Sequence, residues 1–176
     1  IMRKSGFPEH DVAPNDRLIS SILCAGLYPN IARVDAPKPG ESRPVYSIGN
    51  NETVTVHPSS LTKGNDNYVF QSFRYCVFHG KLRTSKTFLK DVTFLRPAAL
   101  LLFGPDFSIN FIEKTATCYG GFQTIAILPR WAGLLRQLRL LFDDILARKV
   151  RNPQGIFSED DLEVLQLFRD ILKLDD

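Results

Sequence analysis

Apolar residues follow different spacings along three parts of this chain. After a leader of residues 1–15 that contains two prolines, apolar side chains recur at helical spacing. They are Leu18, Ile19, Ile22 and Leu23. Asn15 or Asp16 is a plausible N-cap, and Tyr28-Pro29 should end the segment, because a residue before proline is driven towards extended backbone. The first part of the chain therefore predicts a loose leader and one short helix.

Short runs rich in β-branched and aromatic residues fill the middle of the chain. The predicted strands are residues 45–48, 53–57, 68–78, 87–94, 107–112 and 124–128. Gly49-Asn50-Asn51, between the first two, is typical of a hairpin turn. Residues 98–103 are apolar throughout, which suits either a buried strand or one helical turn. Five or more short strands with a helix among them predict a small closed barrel of the oligonucleotide-binding type, and the last two runs can close its sheet.

The last third of the chain has helical spacing. Apolar residues recur through residues 131–150, and Asn152-Pro153-Gln154-Gly155 breaks the run. Ser158 and Asp161 then resemble a capping box, with Asp in place of the preferred Glu, and start a second helix. An antiparallel pair packed against the barrel is expected, and a partner-recruiting helix is the alternative.

The predicted fold class is mainly β with α. We expect a leader at residues 1–15, a helix plus an OB-fold-like barrel at residues 16–128, and a C-terminal helical extension packed on the barrel at residues 129–176.

Four short motifs follow one another along the chain. They are Leu23-Cys24-Ala25-Gly26-Leu27-Tyr28-Pro29-Asn30, His57-Pro58-Ser59-Ser60, Arg83-Thr84-Ser85 and Ala99-Leu100-Leu101-Leu102-Phe103-Gly104. In this order and spacing they resemble the C-terminal region of DEAH-box RNA helicases of the RNA helicase A type, over residues 16–153. The resemblance implies a small β-barrel that follows a helicase core, and it favours a short helix at residues 98–103.

The nucleotide-binding motifs of such a helicase are missing from this sequence. A phosphate-binding loop needs Gly-x-x-x-x-Gly-Lys-Ser/Thr, whereas His79-Gly80-Lys81-Leu82 has one glycine before its lysine and no hydroxyl after it. No Asp-Glu-Ala-His sequence occurs either, and the opening residues contain no secretory signal. We therefore expect a fragment without enzymatic activity or a cofactor of its own. ATP and Mg²⁺ would belong to the core of the parent helicase.

The net charge of +3 hides an uneven distribution. Residues 63–96 contain seven Lys or Arg against two Asp, whereas residues 156–176 contain seven Asp or Glu against two Lys or Arg. The middle of the chain is therefore the candidate surface for a polyanion. An ordinary solvated face is the alternative, and composition does not decide between the two.

The three cysteines, Cys24, Cys76 and Cys118, are odd in number and far apart. Metal sites usually contain close pairs such as Cys-x-x-Cys, and this sequence has none. We expect buried, reduced thiols in an intracellular protein of the nucleus or cytoplasm. No apolar run approaches the roughly 20 residues that cross a bilayer, so a membrane partner is not expected.

A cluster of basic and hydroxyl side chains lies between two predicted strands. Its members are His79, Lys81, Arg83, Thr84, Ser85 and Lys86. Lys and Arg neutralise phosphates, and hydroxyls donate to phosphate oxygens without reading sequence. The barrel of the resembled helicases lines the RNA exit from the core. By that resemblance, this cluster is the leading candidate for contact with single-stranded RNA.

Ser59 and Ser60 are further RNA-binding candidates, because the resembled motif ends a barrel strand that can face RNA or a helicase-core domain. The structural alternative is a His that closes a strand, a Pro that turns the chain and hydroxyls that bond the turn backbone. A Ser-His hydrolase is rejected, since no Gly-x-Ser-x-Gly nucleophile elbow occurs.

The predicted function is an accessory RNA-binding C-terminal domain of an ATP-dependent DEAH-box RNA helicase, which grips single-stranded RNA beside the motor core. The alternative is a protein-docking platform for a helicase activator or a core-domain regulator, and the helicase core of the same parent chain is a further expected partner. Phosphate binding should weaken steeply with salt, because counterions are released. Apolar docking should be far less sensitive to salt.

Overall fold

Five strands close into a barrel in the computed structural model of the chain, which describes residues 16–41, 43–49, 51–60, 73–118 and 121–174. The barrel strands are β1 (Ile31–Asp35), β2 (Val45–Ile48), β3 (Glu52–Val56), β4 (Tyr75–Arg83) and β5 (Thr87–Leu95). They are hydrogen-bonded in the order β1-β2-β3-β5-β4, and β4 pairs back with β1. All pairs are antiparallel except the parallel pair of β3 with β5. The predicted small closed barrel is confirmed.

Strand β1 is not among the strands predicted from the sequence, although Ala32 to Asp35 alternate between apolar and polar residues as a half-buried strand does. Ala32 and Val34 are fully buried in the barrel interior. On the opposite face of the strand, the Arg33 side chain donates to Asp35 Oδ2 at 2.9 Å. The two polar side chains therefore satisfy each other on the outer side of a strand that is buried on its inner side.

The other predicted barrel strands agree with the structure to different extents. β2 has the predicted bounds, and β3 lies one residue earlier than predicted. The predicted turn joins them, with positive φ at Gly49 and Asn51. Residues 68–72 of the third predicted strand lie outside the described residues, as do the leader and Asn50. β4 starts at Tyr75 and extends beyond the predicted end to Arg83.

A short helix, α2 (Pro97–Phe103), follows the barrel and confirms the helix favoured at residues 98–103. Proline suits its first turn, because the N–H that proline lacks would have no partner there. The Gly104 N–H donates to the Leu100 carbonyl at 2.7 Å and ends the helix. A side chain at Gly104 would collide with that carbonyl.

Three further strands form a second antiparallel sheet beside the barrel. They are β6 (Phe107–Asn110), β7 (Thr115–Cys118) and β8 (Gln123–Ala126), with β7 in the middle. The expectation that residues 107–112 and 124–128 close the barrel sheet is therefore wrong. The physical reason is β7, which was not predicted: a tight turn, in which Asn110 Oδ1 accepts two backbone N–H groups, brings it directly onto β6. Pairing with the next strand in sequence has a low loop-closure cost.

The helices α1 (Asp16–Leu27), α3 (Pro129–Arg151) and α4 (Glu159–Leu174) complete the fold. Helix α1 contacts the barrel strands β4 and β5, and it also contacts α2 and α4. Helices α3 and α4 run antiparallel, with the Phe142 ring stacked on Phe168 at 4.2 Å between centroids. The pair lies mainly on α1, α2 and, through α3, on β6 and β7. The domain boundary after residue 128 stays a prediction.

The predicted capping box holds the start of α4. The Asp161 N–H donates to Ser158 Oγ at 3.2 Å, and the Ser158 N–H donates to Asp161 Oδ2 at 3.0 Å. Arg148 of α3 donates to both carboxylate oxygens of Asp161, at 3.0 and 2.6 Å. These bonds, that of Arg148 first, hold the pKa of Asp161 well below its usual range. One carboxylate therefore caps α4 and ties it to α3.

Candidate nucleic-acid interface

Strands β4 and β5 continue as a two-stranded ribbon beyond the part of β4 that pairs with β1. The ladder between them runs to Arg83 opposite Thr87, whereas β1 pairs with β4 only at residues 75–77. We name residues 79–91 the basic ribbon. The ribbon is joined to the rest of the barrel along β5, which pairs with β3 at Phe88 and Leu89. The barrel therefore supports one long edge of the ribbon.

The structure places three of the six clustered site residues differently from the sequence prediction. His79, Lys81 and Arg83 lie within β4 and not in a loop between strands, because the hairpin stays paired almost to its tip. Thr84, Ser85 and Lys86 form the turn, where the Thr84 N–H donates to the Lys86 carbonyl at 3.0 Å. All six side chains are exposed and belong to one continuous hairpin.

Two side chains of the basic ribbon lie near carboxylates, both at long distance. His79 Nδ1 lies 3.8 Å from Asp91 Oδ2, and Arg83 lies 4.0 Å from Glu52 Oε1. Exposed pairs of this kind contribute about 0–1 kcal/mol, so a phosphate can replace the carboxylate at little cost. The three lysines of the ribbon have no carboxylate within ion-pair distance in the described part of the chain. They are Lys81, Lys86 and Lys90.

A distortion in β5 turns Lys90 outward. Strict alternation from Val92 would point position 90 into the barrel, yet Leu89 and Val92 are the residues of this stretch that are buried there. Asp91 between them has φ of +53°, a left-handed conformation that Asp tolerates better than most residues. The irregular backbone therefore places two consecutive charged residues on the surface and adds a lysine to the ribbon.

The motif His57-Pro58-Ser59-Ser60 forms a turn beside β5. The His57 N–H donates to the Leu89 carbonyl at 2.8 Å, and its ring meets Phe88 edge-on at 5.8 Å between centroids. The Ser59 hydroxyl lies 2.7 Å from His57 Nδ1, and the Ser59 N–H donates to the same nitrogen at 3.2 Å. The turn is thus held internally, much as the structural alternative expects, with Ser59 exposed next to the ribbon and Ser60 partly exposed.

A cleft of about 280 Å³ lies beside the ribbon and is lined from β1, β2, β3, β4 and β8 and from the turns next to them. Its lining includes Asn30, Glu52, Phe78, Lys81, Phe122 and Gln123. Of these, Lys81 alone was a predicted site residue. Sequence reasoning did not bring these residues together, because they come from separate parts of the chain. The Gln directly before the predicted strand at residues 124–128 is the local signal that could have pointed to the cleft.

An apolar groove of about 920 Å³ lies on the helical side of the molecule, between α2, α3, α4 and β8. Four of its lining side chains are large, apolar and at least half exposed. They are Trp131, Leu134, Leu141 and Leu167. Contiguous exposed apolar area of this kind usually marks an interaction site. This groove is the second candidate surface.

The cysteines are free and buried, as predicted. Burial raises the pKa of the Cys24 and Cys76 thiols to about 12 and that of Cys118 to about 11, so all three stay protonated and unreactive near neutral pH. Within the described ranges, no group of three or more His, Cys, Asp or Glu side chains is arranged to hold a metal ion. No helix in that part of the chain is long and apolar enough to cross a membrane.

Comparison with known families matches residues 19–107 to the family described as oligonucleotide/oligosaccharide-binding (OB)-fold. The matched residues include most of α1, all five barrel strands and α2. Both the basic ribbon and the serine turn fall within them. The second sheet beyond residue 107 and the helices α3 and α4 do not.

Similarity to individual proteins extends further along the chain. The chain is 31% identical over 174 residues to the ATP-dependent DNA/RNA helicase DHX36 of Homo sapiens, and the match covers 94% of this chain and 17% of that protein. It is 26% identical over 159 residues to the ATP-dependent RNA helicase DHX29 of Mus musculus, covering 89% and 11%. It is 29% identical over 136 residues to the DExH-box ATP-dependent RNA helicase DExH1 of Arabidopsis thaliana, covering 77% and 13%. The chain therefore spans less than a fifth of each relative.

Proposed function

This chain belongs to the OB-fold family, in the form that DEAH-box helicases carry at their C-terminus, and we propose that it grips single-stranded RNA beside a helicase core. The relatives named above are ATP-dependent helicases, and this chain matches only a small part of each. The proposal therefore assigns ATP and Mg²⁺ binding to the core of a longer, intracellular parent protein. It assigns no catalysis to this domain, so the purified chain should not hydrolyse ATP above a buffer blank.

The observation that carries the proposal is the cationic surface of the basic ribbon. Lys81, Lys86 and Lys90 have no carboxylate partner in the described structure, and Arg83 has only a distant one. Cations on an exposed hairpin neutralise successive phosphates and release counterions from the RNA. Thr84 and Ser85 at the tip supply hydroxyl donors for phosphate oxygens. Such contacts favour binding that is strong at low salt and largely independent of sequence.

The test is a titration with short single-stranded RNA at two or more salt concentrations. Replacing Lys81 and Arg83 together by Ala should weaken binding similarly for different sequences and lower the salt slope by about two. The matched control replaces Lys38 and Arg151, two exposed cations outside the ribbon, and should leave both quantities near the wild-type values. If the folded Lys81/Arg83 variant binds RNA with wild-type affinity and salt dependence, the ribbon is not the contact surface.

The apolar groove favours a second candidate function, the docking of the helicase core of the same parent chain. Its exposed side chains would be covered by a folded neighbour, and the length of the relatives leaves most of the parent outside this chain. Trp131 is the single tryptophan of the sequence and lines this groove, where it is 51% exposed. Its fluorescence therefore reports on the groove without a label.

The two candidate functions give opposite responses in one experiment. RNA bound at the ribbon should leave the Trp131 emission maximum unchanged, whereas a core fragment bound in the groove should shift it to shorter wavelength. Docking should also persist at high salt, because burial of apolar surface is not screened. A core fragment that leaves the Trp131 emission unchanged would exclude the groove as its docking site.

A further inference from the structure

We propose that the cleft between β4 and β8 binds one unpaired nucleobase of the RNA that the ribbon holds, an inference that rests on the proposed function. Lys81 belongs to both surfaces, because it is a ribbon cation and also lines the cleft. An RNA strand whose phosphate contacts Lys81 therefore has a base within reach of the cleft. At about 280 Å³, the cleft is smaller than the pockets of about 300–1,000 Å³ that hold drug-sized ligands, and this suits a single base.

The walls of the cleft have the chemistry that unpaired bases need. Phe122 lines the cleft and is partly exposed, and the Arg33 guanidinium, which is not part of the cleft lining, covers one face of its ring at 5.4 Å from the centroid. Proteins hold splayed bases by stacking them on aromatic rings and on arginine planes. Phe78, which is buried at the barrel end of the cleft, adds a second apolar surface. The cleft can therefore take up the face of a base as well as its edge.

Gln123 points to a ligand independently of the aromatic residues. Its side chain is 1% exposed, and its carbonyl Oε1 is buried without a hydrogen-bond partner in the described structure. A buried acceptor without a donor is unfavourable, and such groups are uncommon in folded proteins. Each nucleobase has an N–H group on its pairing edge. A small rotation of the Gln123 side chain would bring this carbonyl to the cleft, where a base supplies the donor that it lacks.

Glu52 lies between the ribbon and the cleft and can contact ligand groups at both. Its Oε1 accepts from the Thr87 hydroxyl at 2.9 Å and lies 4.0 Å from Arg83, while the residue also lines the cleft. A phosphate that draws Arg83 away leaves this carboxylate free to accept from the edge of a base. The loosely held ion pair therefore connects the two contacts.

The experiment uses the full chain, and its probe is a single-stranded RNA with one 2-aminopurine moved through successive positions. Stacking in the cleft should change the fluorescence at one position more than at its neighbours. Phe122→Leu, which removes the ring but keeps an apolar side chain, should weaken binding by about 5- to 150-fold and abolish that change. Phe122→Tyr should retain both. The salt slope should stay at the wild-type value in both variants, since no phosphate contact is lost.

A ligand without bases separates stacking from an effect on folding. On an abasic oligonucleotide with the same phosphates, Phe122→Leu should bind like the wild type. Equal weakening on both ligands would overturn base binding in the cleft and indicate a structural role for Phe122.

Gln123→Met, with its melting temperature measured, should also weaken binding only to the ligand that has bases. If Phe122→Leu binds RNA normally while the Lys81/Arg83 variant does not, the base cleft fails and the ribbon stands. If the wild type binds no RNA, the proposed function fails and the cleft fails with it.

Discussion

Two arginine–carboxylate pairs have the same chemistry but opposite surroundings. Arg148 donates two short hydrogen bonds to Asp161, which is 6% exposed and also caps α4. Arg83 lies 4.0 Å from Glu52, and its side chain is 84% exposed. The first pair joins two helices, and the second leaves its guanidinium accessible to a ligand. Distance and burial, and not residue type, therefore distinguish a cation that stabilises the fold from one that is available for RNA.

Removing α3 and α4, the helices that contain the Arg148–Asp161 pair, should have the largest effect on the protein. Truncation after residue 128 deletes α3 and α4 and exposes Ala98 and Leu102, which they cover in one apolar cluster. It also removes several large side chains, each of which contributes about 1.5–3 kcal/mol when buried. We expect the loss of soluble, cooperative folding, measured by thermal unfolding. A truncated barrel that melts like the full chain would show that α3 and α4 are a separable element.

Two neighbouring residues of α4 allow the buried side of the helix to be compared with its groove side. Phe168 is buried and stacks on Phe142, whereas Leu167 is half exposed in the apolar groove. Phe168→Ala should lower the free energy of unfolding by about 3–5 kcal/mol, because it leaves a cavity. Leu167→Ala should change it much less, and we expect a loss of groove docking instead. Equal losses of stability in urea unfolding would mean that the groove is part of the core.

The pH dependence of stability tests the contribution of the Arg148–Asp161 pair. The folded-state pKa of Asp161 lies below its unfolded value, so its contribution is fully present above about pH 3.9 and is lost as the pH falls through the folded pKa. Wild-type stability should therefore decrease below about pH 4 more steeply than that of Asp161→Asn, which cannot titrate. Urea midpoints measured from neutral to acidic pH check this. Identical acid slopes in the two proteins would exclude Asp161 as the titrating group.

The second pair should behave in the opposite way when its arginine is removed. Arg83→Ala should change the free energy of unfolding by no more than about 0.5 kcal/mol, since it is an exposed position with one distant partner. The same change should lower the salt slope of RNA binding by about one. Arg148→Ala is the matched variant, and we expect a clear drop in melting temperature with an unchanged salt slope. If the two variants lose stability equally, the contrast between the pairs is wrong.

The smallest effect is expected at His79, the histidine of the ribbon. Its exposed contact with Asp91 is 3.8 Å long, so His79→Ala should leave stability unchanged. We expect modestly weaker RNA binding with little change in the salt slope, because a neutral ring stacks or donates without neutralising a phosphate. Titration at neutral pH and two salt concentrations checks this. A drop of a full unit in the slope would show that His79 binds phosphate as a cation.

Features that depend on residues close in sequence are the ones that the sequence predicts well. Ser158 and Asp161 form the capping box because a cap needs only the first turn of its own helix. The helices α3 and α4 follow from apolar spacing for the same reason, and the turn after β2 follows from its glycine and asparagine. Six of the candidate RNA-binding residues share one hairpin, so their proximity was also predictable from sequence.

Features that depend on distant residues did not follow from the sequence. β1 is five residues long and was not recognised on its own, and in the structure β2 and β4 flank it and pair with it. Residues 107–112 and 124–128 have strand-like composition, but composition does not specify a partner, and both segments pair with β7 in a separate sheet. Strand propensity reflects packing against neighbours, which a local pattern does not contain.

By itself, therefore, the sequence determined the helices α1, α3 and α4, the cap, the buried thiols and a cationic hairpin, because local spacing and composition encode each of them. The tertiary structure decided which strands close the barrel, and it turned Lys90 outward through the left-handed backbone of Asp91. It also brought Lys81 to one cleft with Phe122 and Gln123. These arrangements arise from contacts between separate strands, whose geometry exists only once the barrel has closed and the second sheet has packed beside it.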